Sequence, residues 1–177
     1  VANAPRVTAT LEDVRIIFRN FSGAPTRFNL AGGKRTFSVV LPEDVAKQME
    51  TEGWNVKWPP PPADDREPLL PRLEVQVKYS ERAKPPRITM ITSRGRTPLD
   101  ENTVGLLDWA EFDQIDMIIR QYNWDINGKQ GVSAYLQTLF ATIHEDELEL
   151  KYADIGDSGE SAQISIQMSD DERGAPF

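Results

Sequence analysis

The chain has 177 residues, 39% hydrophobic and 27% charged, with a formal net charge of −8. That suits one soluble domain with appendages, long enough to bury a core, and no apolar run approaches the roughly 18 residues of a membrane span. The absence of cysteine excludes disulfides, thiolate metal ligands and Cys nucleophiles and fits a reducing cytoplasm, while a single histidine, His144, excludes a multi-His metal site within one chain.

The first residues, Val1-Ala2-Asn3-Ala4-Pro5, carry no basic-then-apolar signal pattern. Residues 6–18 read as a strand. Val7, Ala9 and Leu11 alternate in one register and Val14, Ile16 and Phe18 in another, with a bulge expected at Glu12-Asp13. Residues 20–33 are a loop rich in Gly, Pro, Asn and Ser. A second strand follows over residues 34–41, with Phe37, Val39 and Leu41 on one face. Pro42-Glu43-Asp44 opens a helix whose buried stripe is Val45, Ala46 and Met49, and Gly53 ends it. Residues 54–58 are a short extended piece.

Residues 59–62 are four prolines and begin a stiff insert that reaches Pro71. Leu73, Val75, Val77 and Tyr79 alternate as a third strand. Residues 87–93 form a fourth, closed by a turn at Arg94-Gly95-Arg96, and residues 101–109 hold a short helix. Two long strands, residues 112–125 and 132–143, flank Asn127-Gly128, the strongest short hairpin signal in the chain. A helix over residues 109–119 is the competing reading of the first of these. Residues 156–177 read as an acidic, flexible tail, with a brief extended stretch at Ile164-Ser165-Ile166. Five or more strands with one or two short helices make the chain all-β, folded as a small barrel.

Catalytic and metal motifs are weak. Gly156-Asp157-Ser158-Gly159 looks like a serine-protease nucleophile segment, but His144 lies just before it and no separate base exists. Asp125-Ile126-Asn127-Gly128 would begin a calcium loop, yet Leu136 stands where the closing acid belongs. Glu145-Asp146-Glu147 with Glu149 is better read as a solvated face than as a cation site. Gly32-Gly33-Lys34 lacks the spacing of a phosphate loop. No enzyme activity, cofactor or metal is expected.

The charge is strongly segregated. Residues 14–42 carry five basic side chains (Arg15, Arg19, Arg27, Lys34, Arg35) and no acidic one. Residues 82–99 repeat this with Arg82, Lys84, Arg87, Arg94 and Arg96. Outside both stretches 10 basic residues face 28 acidic ones, so a local groove can attract phosphates while the rest of the surface repels them. Aromatics interleave with cations: Phe28 near Arg27, Lys34 and Arg35; Trp54 and Trp58 around Lys57; Tyr79 between Lys78 and Arg82; Tyr122 and Trp124 after Arg120; Tyr135 past Lys129. Single-strand binding needs this mixture, because ring faces stack on bases and cations hold the backbone without reading sequence. Phe37 and Phe112 are expected in the core instead.

Several segments together resemble the phage-encoded single-stranded DNA-binding proteins. They are Asn20-Phe21-Ser22-Gly23, Arg27-Phe28-Asn29, Gly33-Lys34-Arg35-Thr36-Phe37, Gly53-Trp54-Asn55-Val56-Lys57, Arg120-Gln121-Tyr122-Asn123-Trp124 and Asn127-Gly128-Lys129-Gln130-Gly131-Val132. The resemblance runs from about Val14 to Ile155. It implies an oligonucleotide-binding (OB) fold, a five-stranded Greek-key barrel, that coats single-stranded DNA during phage replication and recombination in the host cytoplasm. It also implies that the tail, through Asp170, Asp171, Glu172 and Phe177, contacts replication and recombination proteins.

The expectation is therefore an OB domain over residues 1–155 and an acidic tail over residues 156–177, which could also lie in the protein's own basic groove. Lys34, Arg35, Lys57, Arg82, Arg87, Arg94, Arg96, Arg120 and Lys129 are the candidate phosphate contacts. Trp54, Trp58, Tyr79, Tyr122, Trp124 and Tyr135 are the candidate stacking rings. A non-catalytic protein-interaction or structural module on the same barrel and an RNA-binding OB protein are the alternatives. No membrane partner is expected, and self-association into a homo-oligomer is left open.

Overall fold

The computed structural model describes residues 7–67, 69–82, 84–146 and 148. Nine strands form one sheet: β1 (Thr8–Leu11), β2 (Arg15–Asn20), β3 (Thr36–Val40), β4 (Val56–Lys57), β5 (Arg72–Gln76), β6 (Arg87–Thr92), β7 (Gly95–Leu99), β8 (Phe112–Ile126) and β9 (Lys129–Ile143). One helix, α1 (Glu43–Thr51), and a 3₁₀ turn (Val104–Asp108) complete the described elements.

β1 and β2 behave as one bent strand that closes the barrel. Thr8–Leu11 pair antiparallel with β8 from Arg120 to Met117. Asp13 then adopts φ +50, and beyond the bend β2 pairs antiparallel with β3. Val14 N–H still donates to Ile115 O at 3.0 Å, so β8 stays joined to the strand through the bend. The expected bulge thus lets one strand serve two neighbours. From there the order is β2, β3, β5, β9, β8 and back to β1, with β5 and β9 parallel and the other pairs antiparallel. This closed circuit is an OB-type barrel. Its interior holds Phe37, Val39, Leu41, Leu73, Val75, Ile88, Met117, Ile119, Leu136 and Leu139, and Phe21 stacks on Phe37 at 5.0 Å.

Pro42 precedes α1, and Glu43 and Asp44 occupy its first turn. Ala46 and Met49 are buried, and Gly53 leaves the helix at φ +100. Gln121 Nε2 donates to Glu52 O at 3.0 Å, tying the end of the helix to β8. Residues 109–119 contain strand from Phe112 onward, not helix, because β1 and β9 supply pairing partners on both sides. β7 is an addition to the expected strands: it lies at the sheet edge and pairs with β6 alone, a position that tolerates Pro98. Arg96 accordingly sits in β7 rather than in a turn.

The hairpin β8–β9 turns at Asn127 and Gly128, both at positive φ (+53 and +78), the geometry of a tight two-residue type I′ turn. Residues 122–133 have no third strand alongside among the described residues. They form a two-stranded ribbon reaching about 20 Å past the barrel at roughly 3.4 Å per residue. None of the described helices is long and apolar enough to cross a membrane.

Candidate nucleic-acid interface

Residues opposed across an antiparallel pair share a face of the sheet. On the ribbon, Arg120 opposes Tyr135, Tyr122 opposes Ser133, and Trp124 opposes Gly131. These six therefore line one outer surface. Tyr122 and Tyr135 stack at 4.8 Å with an 11° interplanar angle, and the Arg120 guanidinium lies 5.2 Å from the Tyr135 ring centre. Partial burial, then the neighbouring Tyr122, raise the Tyr135 hydroxyl pKa, with Arg120 opposing. The Trp124 indole lies over Gly131, where a Cβ would fall 2.2 Å from Cζ2.

The same surface continues across the barrel. Gln76 Nε2 reaches Ser133 Oγ at 3.5 Å, and Gln76 opposes Thr36 on β3. Glu74, two residues earlier on β5, ion-pairs with Lys57 at 3.0 Å and with Lys34 at 3.9 Å. Arg72 lies on this face as well, 5.2 Å from the ring centre of Phe18. Phe18 points outward because its φ of +53 interrupts the alternation of β2, a strain normally avoided by aromatic residues.

Beyond Lys34 the surface opens into a cleft of about 1000 Å³. Its walls include Phe18, Arg27, Phe28, Lys34 and Trp109. Phe18, Phe28 and Trp109 are 67%, 87% and 89% exposed, and Arg27 covers the Phe28 ring at 5.0 Å. The loop bearing Phe28 is anchored at its base. The Asp108 carboxylate accepts the backbone N–H of Phe21 at 2.6 Å and of Ser22 at 3.2 Å. Asn20 Oδ1 accepts Ala24 N–H at 3.0 Å, and its amide donates to Ala24 O at 3.1 Å. Gly33 N–H closes the loop onto Gly23 O at 2.7 Å.

Two further cavities extend this cleft. One of about 40 Å³ is lined by Asn55, Glu74, Gln76, Val132 and Ser133 among others. Another of about 480 Å³ surrounds Trp124 at the ribbon. Glu74 borders both the cleft and the small cavity, and Val132 borders both the small cavity and the Trp124 site. One track therefore runs from the Phe28 loop across β3 and β5 to the ribbon, with rings at both ends and cations along it. In OB folds this face and the loops at its two ends bind oligonucleotides.

The model of the family described as "Putative phage ssDNA-binding domain" matches residues 2–175. The chain belongs to that family. Its fold is similar to that of the single-stranded DNA-binding protein of bacteriophage Enc34 in complex with ssDNA, at 12% identity and TM-score 0.51 over 78% of this chain and 88% of that one. The C-terminally truncated Enc34 protein gives TM-score 0.50 at 12% identity, covering 78% and 87%. The T7-encoded single-stranded DNA-binding protein gp2.5 matches at TM-score 0.38 and 10% identity, covering 84% and 94%. No curated protein matches.

In this phage ssDNA-binding domain, six of the sequence-derived candidates lie on or beside the track: Lys34, Lys57, Arg120, Tyr122, Trp124 and Tyr135. Lys129 is exposed at the ribbon tip. Trp54 is a correction: it is 3% exposed within the core, because the chain turns inward between Gly53 and β4. Arg35 is another, since its guanidinium donates to Phe21 O at 2.6 Å and to Glu101 O at 3.3 Å, and it covers the half-buried Tyr79 ring at 5.3 Å. Burial raises the Tyr79 hydroxyl pKa, while Arg35 opposes the rise. Arg35 and Tyr79 thus pack on each other against the barrel.

Trp58 is half-exposed, and its indole N–H donates to the carboxylate of Glu50 on α1. Arg82, Arg87, Arg94 and Arg96 are exposed but line none of the three cavities. The second cation-rich segment thus lies on and before the β6–β7 hairpin, outside the linings of these cavities. Asp170, Asp171, Glu172 and Phe177 lie outside the described residues, as does the extended stretch expected at residues 164–166.

Phe18, Arg72 and Trp109 were absent from the sequence-derived set, and Arg27 and Phe28 were noted only as neighbours. Alternation puts Phe18 in register with Ile16, which is buried, and the positive φ at Phe18 breaks that register. The one available signal for Trp109 was its setting among Asp108, Ala110 and Glu111, too polar for a core ring.

Proposed function

We propose that the protein binds single-stranded DNA along this track, without reading sequence, in phage DNA replication and recombination in the host cytoplasm. Lys34, Lys57, Arg27, Arg72 and Arg120 hold phosphates. Phe18, Phe28 and Trp109 at one end and Tyr122, Trp124 and Tyr135 at the other offer stacking faces. The carrying observation is the continuity of the track, two ring-lined sites joined across β5 by shared residues. The role proposed on this track is binding, without a catalytic step. The acidic tail, with Asp170, Asp171, Glu172 and Phe177, supplies a second binding element for replication and recombination proteins, and its charge suits the same cations that hold DNA.

The test is fluorescence-anisotropy titration of a labelled oligothymidylate at two salt concentrations. Affinity should fall steeply with salt, with a slope of about −0.7 for each phosphate neutralised. Phe28→Ala and Trp109→Ala should each weaken binding by about 1–3 kcal/mol with the fold intact. Deleting residues 156–177 should tighten it. No binding by the full chain at low salt refutes the reading, and preference for an RNA oligomer of equal sequence would reassign the substrate.

A further inference from the structure

Resting on the single-strand reading above, we propose that the Glu74 carboxylate stands in for a DNA phosphate. It holds Lys34 and Lys57 apart and in place in the free protein, and a backbone phosphate replaces it between them when a strand enters. Glu74 Oε2 lies 3.0 Å from Lys57 Nζ and Oε1 lies 3.9 Å from Lys34 Nζ, so each carboxylate oxygen engages one lysine. Those lysines come from different elements, the end of the Phe28 loop and β4, and Glu74 is the group that links them. Glu74 also borders both the wide cleft and the small cavity leading to the ribbon. A strand running from one ring-lined end to the other must pass this carboxylate.

A fixed negative charge on that path opposes a phosphate directly, and it neutralises two cations that would otherwise attract one. The arrangement still suits exchange. All three side chains are partly exposed, at 35% for Glu74, 44% for Lys57 and 56% for Lys34, so solvent screens the pairs and they part readily. Lysine, a point charge on a flexible stem, can turn from a carboxylate to a phosphate oxygen without a fixed geometry. Glu74 therefore keeps the lysines poised over the track while limiting affinity, so that bound DNA stays exchangeable.

The test compares wild-type protein with Glu74→Gln, Glu74→Asp and Glu43→Gln in titrations of a labelled oligothymidylate across a salt series. Glu74→Gln, which keeps the shape and loses the charge, should bind about three- to tenfold more tightly at low salt. Its log K against log salt slope should steepen by about 0.7 for each phosphate newly engaged. Glu74→Asp keeps the charge and should show no gain. Glu43→Gln removes an equal charge from α1, where Glu43 pairs with Lys47 at 3.0 Å off the track, and should also show none. Adding Lys34→Ala and Lys57→Ala to Glu74→Gln should abolish its gain. The proposal is overturned if wild-type protein binds and Glu74→Gln binds no more tightly, or if Glu43→Gln matches its gain. Failure of wild-type protein to bind would instead overturn the single-strand reading beneath it.

Discussion

At Gly131, one missing methyl group decides where a tryptophan lies. A Cβ there would meet Trp124 Cζ2 at 2.2 Å and Cε2 at 2.4 Å, far inside contact distance, so any side chain displaces the indole. Gly131→Ala is expected to swing Trp124 off the ribbon, shift its fluorescence and weaken DNA binding by up to about 1–3 kcal/mol, one stacked base. An unchanged affinity together with a shifted spectrum would remove Trp124 from the stacking set. His144 offers a separate residue-scale measurement, because it is the only histidine in the chain. Its Nδ1 lies 2.6 Å from Asp113 Oδ1. That hydrogen bond and the carboxylate charge raise its pKa above 6.5, with Glu111 and Asp146 adding to the effect and solvation loss opposing it. The folded state thus favours the imidazolium. The stabilisation is complete below pH 6.5 and is lost as pH rises through the elevated folded-state midpoint. An NMR titration should place that midpoint above 6.5, and Asp113→Asn should lower it. Equal midpoints in the two proteins would contradict the pairing.

Among the elements, the loop of residues 21–35 is braced internally by the reciprocal Thr26–Asn29 hydrogen bonds and tied to the barrel where it leaves it. Asp108 lies in the 3₁₀ turn just before Trp109, and it accepts two backbone N–H groups from the start of the loop. The same carboxylate therefore sets the distance between the Trp109 and Phe28 walls of the cleft. Asp108→Ala would leave the Phe21 and Ser22 amides without that acceptor. The expected cost is about 1–3 kcal/mol of stability, with a larger loss of DNA affinity than stability alone explains, measured by denaturant titration and anisotropy. Normal affinity at reduced stability would show that the loop's position is set elsewhere. The ribbon was the most legible element, since Asn-Gly between alternating runs specifies both a tight turn and a register. The Phe28 loop was the least legible. Its conformation depends on Asp108, about 80 residues away in sequence, and local spacing carries no trace of such a contact.

For the whole molecule, rings divide into those that build the barrel and those that line its outer track. Phe37→Ala removes a fully buried ring stacked on Phe21 and should cost about 3–5 kcal/mol, a large share of a domain's stability. Thermal melts should show this loss, whereas Phe28→Ala, losing a ring that is 87% exposed, should melt like the wild type. Similar melting shifts for both would contradict the division. The amino-acid order by itself determined the strand succession apart from β7, the bulge at Asp13, the helix limits, the Asn127–Gly128 turn and the segregation of charge. These depend on local backbone preference and on side-chain period, which neighbouring residues report. Whether a ring or a cation faces DNA was decided only by tertiary structure. Trp54 and Trp124 have similarly polar neighbours, yet one is sealed in the core and the other lies on the ribbon. Arg35 and Lys34 are adjacent, yet one braces Phe21 O and the other borders the cleft. Exposure depends on which distant strand lies alongside, and closing the barrel through the bend between β1 and β2 fixes that neighbour.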